Sequence, residues 1–228
     1  MKVLTIDTSS AHIVSGIVEI SGDEVVVLAS ASHVGATMHA EVLAPGIAQV
    51  SDVAGVALPD LSGVVVGLGP GPFTGLRVGI VTAASLGDAL GLPVWGVCSL
   101  DALVSSETSG RTLVASDARR KELYFALYDG DRRAGEPSVA KPEVLVATVG
   151  AVDRVVHAGA GKYLGALEPL SPEIVERYAS PAALVRVAMR DGLVGGPSSE
   201  LQPIYIRRPD AAEPKKKPSL NVTGPTGR

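Results

Sequence analysis

Gly67-Leu68-Gly69-Pro70-Gly71-Pro72-Phe73-Thr74-Gly75-Leu76-Arg77-Val78-Gly79 is the stretch on which the fold turns. It follows the β-branched run Val64-Val65-Val66 and opens an Ala-, Gly- and Leu-rich segment that continues to Leu90. A strand that runs through glycines into a helix leaves unpaired N–H groups at the helix start, with the helix dipole behind them. Such a junction either receives an anion or is a tight turn that lets helix and sheet approach closely. Familiar phosphate loops do not fit. There is no Gly-Lys-Ser/Thr, and a dinucleotide fingerprint begun at Gly69 or Gly67 would need glycine where Thr74 or Pro72 stands.

Outward from this junction, residues 61–68 read as a buried strand and 74–90 as a long helix, with Gly91 as its stop. Residues 2–8 read as a strand ending at Asp7-Thr8-Ser9-Ser10, and 12–20 and 24–30 as strands joined at Ser21-Gly22-Asp23, an antiparallel meander. Met38, Val42, Leu43, Ile47 and Val50 recur near helical spacing, and Pro45 among them predicts a kink or break near Gly46. Residues 93–97 form a short strand, after which Ser99 caps a helix from Leu100 onward. A second unit begins near Arg111. Strands at 112–115 and 122–128 flank Ser116-Asp117-Ala118-Arg119-Arg120-Lys121, and a strand at 155–158 leads into Gly159-Ala160-Gly161. Ser180 and Pro181 then start a helix that runs to about Arg190. This order predicts a first lobe over 1–104 and a smaller second lobe over 105–208, whose last helix can return to the first. The segment 209–228 lacks periodicity and is expected to be a disordered tail.

The chain is 46% hydrophobic but only 4% aromatic, so its core is built from Val, Leu, Ala and Ile and offers few stacking platforms for single-stranded nucleic acid. A net charge of −4 argues against a broadly basic surface and leaves room only for a local patch. Cys98 is the one cysteine, which excludes an internal disulfide and a cysteine metal cluster. In its apolar setting it reads as an inert buried thiol. The four histidines, His12, His33, His39 and His157, lack the spacing of a helical metal site. The start reaches Asp7 too soon for a signal peptide, and no run of about 18 uncharged apolar residues exists, so a cytoplasmic protein without a membrane span is expected. Lys215-Lys216-Lys217 reads as a solvated run or a minor tRNA contact.

The long helix is apolar nearly all round, and Gly79, Ala83 and Gly87 recur at i, i+4 and i+8. A helix of that kind is covered on both sides, and small residues in line admit a close neighbour. A partner interface is therefore expected at Leu43, Ile47, Leu76, Ile80, Ala83 and Gly87, with cover by this chain's own elements as the alternative.

Leu4-Thr5-Ile6-Asp7-Thr8-Ser9, the glycine segment with its Phe73-Thr74-Gly75-Leu76-Arg77, and Gly96-Val97-Cys98-Ser99-Leu100-Asp101-Ala102-Leu103 together resemble the TsaB (YeaZ) family. Asp117-Ala118-Arg119-Arg120 and Pro203-Ile204-Tyr205-Ile206-Arg207 extend the likeness, in order, over residues 1–208. The resemblance implies an α/β, two-lobed fold of the actin-like, Hsp70-like and sugar-kinase-like (ASKHA) kind, with mixed sheets and a reduced second lobe. It also implies a non-catalytic dimerisation and scaffold subunit of the bacterial complex that makes threonylcarbamoyladenosine in tRNA. Such a subunit binds and activates the TsaD-type threonylcarbamoyltransferase, has a TsaE-type ATPase as a second partner, pairs with itself when alone and meets tRNA through the complex. ATP and metal are then expected on the partner subunits and none on this chain. In TsaD enzymes the stretch matching 96–103 carries two metal-binding histidines, and here Ser99 and Leu103 stand in their places. Leucine cannot ligate a metal and a serine hydroxyl is a poor substitute for imidazole. By the same resemblance Asp7, Thr8, Ser9 and Asp117 mark a vestigial nucleotide site. The plainer readings are an Asx turn at Asp7 and an ion pair at Asp117 with the neighbouring cations. An autonomous ATPase or phosphotransferase, and less readily a metallopeptidase-like protein, stay open as alternatives.

Overall fold

The computed structural model describes residues 1–35, 38–104, 109–171 and 173–207. Val64-Val65-Val66 is the heart of β4 (Gly63–Gly67), a strand buried along its whole length. It pairs in parallel with β1 (Lys2–Asp7) on one side and β5 (Val94–Val97) on the other. β1 pairs antiparallel with β2 (His12–Ser21), and β2 with β3 (Glu24–Val34), so the first sheet runs β3-β2-β1-β4-β5. Strands covered on both faces are apolar at consecutive positions, as in β4, because neither face meets water.

One face of this sheet carries α1 (His39–Ala54) and α2 (Phe73–Leu90), which share a core with Leu4, Ile6, Ile17, Val64 and Val66. α1 passes through Pro45 without the expected break. Its buried stripe of His39, Leu43, Ile47 and Val50 is continuous, and both Pro45 and Glu41, whose carbonyl loses its donor there, lie on the exposed side. Gly91 ends α2 in the left-handed conformation, φ 66°, as its position after the last apolar residue foretold. The helix expected after Ser99 is a single 3-10 turn, Asp101–Leu103, and Ser99 does not cap it.

The second sheet is built on β6 (Arg111–Asp117) and β7 (Leu123–Asp129), an antiparallel hairpin. With β8 (Arg132–Arg133), β9 (Ser138–Ala140), β10 (Arg154–Ala158) and β11 (Ile174–Glu176) it runs β11-β10-β6-β7-β8, and β9 also pairs with β7. α3 (Pro142–Val149) and the one-turn α4 (Leu164–Leu167) cover one face through Leu113, Leu145, Val155 and Leu167. The other face packs Val114, Tyr128 and Val156 on Cys98, Leu100 and Leu103. β8, β9, α3, α4 and β11 have no counterpart in the sequence reading, being short segments with weak periodicity. α5 (Pro181–Arg190) is capped by Ser180, whose Oγ accepts from the Ala183 N–H at 3.2 Å, as expected. It lies on the open face of the first sheet, against Val3, Val18, Val65 and Trp95. The result is an α/β fold built on two mixed sheets. No helix among the described residues is long and apolar enough to cross a membrane. The tail at 209–228, with Lys215, Lys216 and Lys217, lies outside the described residues.

Candidate functional site

β1 ends by placing Asp7 inside the protein, 1% exposed. Its Oδ1 accepts from the Ser9 N–H at 3.0 Å and the Ser9 hydroxyl at 2.7 Å, an Asx turn. Its Oδ2 accepts from the Ser99 hydroxyl at 2.6 Å. Burial raises the Asp7 carboxyl above the ordinary value of 3.8, opposed by the hydrogen bonds from Ser99 and Ser9. Ser99 is fixed from the other side as well. Its Oγ accepts from the Gly69 N–H at 3.1 Å, and its own N–H donates to the Gly69 carbonyl at 2.8 Å. Ser99 is therefore a clasp between the glycine loop and Asp7, and Leu103, in the second ligand place, is 3% exposed in the core. Both oxygens of Asp7 are spent on the chain's own donors.

The glycines of the opening stretch serve close approach. A Cβ on Gly67 would fall on Asp7 Oδ2, and one on Gly71 would fall on the Ser9 carbonyl. Thr8 Oγ donates to the Gly75 carbonyl at 2.8 Å and accepts from the Gly79 N–H at 3.2 Å, bridging one turn of α2. His39 is buried with Nε2 3.1 Å from the Ser10 carbonyl, which joins α1 to the same turn. Of the two readings of the glycine junction, the geometry is that of a helix pressed onto the β1–β2 turn.

The same packing corrects the expected interface. Leu43, Ile47, Leu76, Ile80 and Ala83 are 0–6% exposed and sit in the core shared with the first sheet, and Gly87 is buried against Val94. The small-residue line on α2 is the chain's own docking seam, and what covers it is a sheet and a turn. α1 and α2 instead turn Ala40, Ala44, Val78, Val81 and Thr82 toward a surface groove of about 490 Å³, with Val81 60% exposed.

Asp117 has partners of its own and none of those given for Asp7. It accepts from the Arg119 N–H at 3.0 Å and pairs with Lys162 at 2.9 Å, so its ion-pair partner is a cation distant in sequence. Arg119, Arg120 and Lys121 form a left-handed turn, with φ of 59°, 52° and 62°. Arg207 donates to the Ala118 carbonyl at 3.0 Å and pairs with Glu122, and His12 stacks on Tyr178 with centroids 3.5 Å apart. The first contact joins the last described residue to the β6–β7 turn, and the second joins the start of β2 to the segment after β11.

A buried charge cluster went unread in the sequence. Asp101 Oδ1 accepts from Tyr128 at 2.6 Å and Arg133 at 2.9 Å, and Oδ2 accepts from Arg190 at 3.1 Å. These groups come from the second sheet and from α5, so Asp101 pins the lobes. Burial and the Asp101 charge push the Tyr128 phenol up, which keeps it a donor. The same two causes push the Cys98 thiol up to about 12, in keeping with an inert residue. The available signal was an acid inside the apolar run 96–104, which calls for a buried cationic partner.

The family model described as "TsaD: tRNA N6-adenosine threonylcarbamoyltransferase" matches residues 31–175. An uncharacterized protein of Mycobacterium leprae (strain TN) is 43% identical over 92% of this chain, which spans 55% of that relative's length. The "tRNA threonylcarbamoyladenosine biosynthesis protein TsaB" of Escherichia coli (strain K12) is 34% identical over 47% of this chain and 50% of its own. Among solved structures, "YeaZ from Pseudomonas aeruginosa" superposes with a TM-score of 0.72 at 27% identity, over 90% of this chain and 99% of that one.

Proposed function

The chain belongs to the family of TsaD-type domains, in its TsaB (YeaZ) branch, and we propose that it acts in tRNA threonylcarbamoyladenosine biosynthesis as a non-catalytic scaffold. On this reading it binds and activates a TsaD-type threonylcarbamoyltransferase, with a TsaE-type ATPase as a further partner, in the cytoplasm. ATP and metal belong to those partners, and a homodimer forms when they are absent. The observation that carries the reading is the state of the two ligand places. Ser99 is locked to Asp7 and Gly69 by hydrogen bonds, and Leu103 is core. A Lewis acid there would have no imidazole to hold it. Asp7 and Ser9 are committed to the same clasp and Thr8 to the first turns of α2, so both oxygens of Asp7 already accept from this chain's own donors rather than serving a magnesium nucleotide.

The partner surface proposed here is the exposed groove of α1 and α2 rather than the six buried residues. It is tested by size-exclusion chromatography and titration calorimetry with the organism's own TsaD homologue. Val81→Arg should leave stability within about 0.5 kcal/mol, since Val81 already faces solvent. It should weaken binding at least tenfold, about 1.4 kcal/mol, by placing a cation in an apolar contact. Ala83→Arg should instead unfold the chain. A folded Val81→Arg variant that binds at full strength overturns the surface, and a wild-type chain that ignores TsaD overturns the role.

A further inference from the structure

We propose that the Arg119-Arg120-Lys121 turn and the ring pair beside it form a binding site for single-stranded RNA. The turn is unusual on its backbone alone. Three consecutive non-glycine residues hold left-handed φ angles, each at a steric cost that glycine would avoid. What stands there instead of glycine is three exposed cations, on a chain whose net charge is −4. Neighbouring cations are already committed. Lys162 pairs with Asp117, Arg207 pairs with Glu122, and Arg77 lies 3.9 Å over the face of Phe73. The side chains of Arg119 and Lys121 make no hydrogen bond or ion pair among the described residues.

Beside the turn lies a cleft of about 230 Å³, lined by Gly71, Phe73, Ala118, Arg119, Tyr205 and Arg207. Phe73 and Tyr205 stand with ring centroids 5.1 Å apart, and Tyr205 is 40% exposed. Pockets that enclose a whole small ligand run from roughly 300 Å³ upward. This one fits a single base or ring, with Arg119 in its wall and Lys121 beyond it in the turn. That arrangement suits an extended strand, which lays one base against the rings while its phosphates pass the cations. The choice of RNA over other polyanions rests on the proposed role in tRNA modification. The TsaD-binding test uses Val81, and the test below uses other residues, so the two readings fail separately.

The probe is a fluorescein-labelled oligouridylate of about 12 nucleotides, a length within the usual range of single-strand sites, titrated with the full chain and read by anisotropy. Each phosphate contact on a single strand contributes about −0.7 to the slope of log K against log salt. Arg119→Gly/Lys121→Gly should therefore shrink the affinity loss between about 50 and 200 mM salt about sevenfold. Glycine suits the φ of both positions, so the double variant should melt no lower than wild type. Tyr205→Leu should weaken binding at least fivefold with the slope unchanged, because stacking releases no counterions. Changing Lys215, Lys216 and Lys217 to glutamine should leave the affinity within about twofold, because the tail's positive charge is not what this site uses. No binding at low salt, an unchanged slope in the double variant, or loss of binding through the lysine changes alone overturns the assignment.

Discussion

Gly79→Ala puts a single methyl where α2 meets the β1–β2 turn. In an isolated helix the change is favourable, since alanine is about 0.8–1.0 kcal/mol better than glycine. Here the new Cβ would overlap Thr8 Oγ and lie 3.2 and 3.3 Å from Thr8 Cγ2 and Cβ. Thr8 or the helix must move, and Thr8 Oγ then loses bonds to the Gly75 carbonyl and the Gly79 N–H. Overpacking costs about 1–3 kcal/mol and each buried hydrogen bond about 0.5–1.5 kcal/mol. After the propensity gain, the net loss is about 1–5 kcal/mol, and a chain of this size should melt about 2–20 °C lower. Gly165→Ala is the control, because nothing lies within 4 Å of a Cβ there; it should be neutral or raise stability by up to about 1 kcal/mol. Thr8→Ala combined with Gly79→Ala removes the obstructing atoms, so a double-mutant cycle should show a favourable coupling of at least about 1 kcal/mol. Urea denaturation of the four proteins gives the numbers. A Gly79→Ala chain as stable as wild type, still bound less tightly by TsaD, would refute the intramolecular seam and restore α2's small residues to a partner.

Asp7 titrates above its ordinary 3.8 because of burial, so the folded state binds its proton more tightly than the unfolded chain. Its contribution to stability is full below the unfolded value and is lost as pH rises through the folded one. Asp7→Asn should abolish that decline in denaturation midpoints measured upward from about pH 4, and an unchanged pH profile would count against a buried, desolvated carboxylate. Cys98, with its thiol pushed up to about 12 and 8% exposed, should react with iodoacetamide near neutral pH only in denaturant. Rapid labelling of the native chain would contradict its placement in the core.

Much of the frame was legible in the residues because it rests on local physics. Val64-Val65-Val66 is a buried strand because three β-branched residues in a row have no polar face. Gly91 and Ser180 end and start helices through backbone conformation and one hydrogen bond. Asp7 makes its Asx turn with a residue two places on. Other features depend on residues far apart in sequence. The line Gly79, Ala83, Gly87 announces a close neighbour but not which one, because a turn of the same chain and a helix of another fill the same space. Ser99 reads as a helix cap from its position, yet its hydroxyl goes to Asp7, 92 residues away. Asp101 shows only an unmet charge until Tyr128, Arg133 and Arg190 arrive from the other sheet and the last helix. The sequence by itself determined which groups must be buried or turned. Only the tertiary structure decided their partners, because burial is a property of one residue and a contact belongs to two.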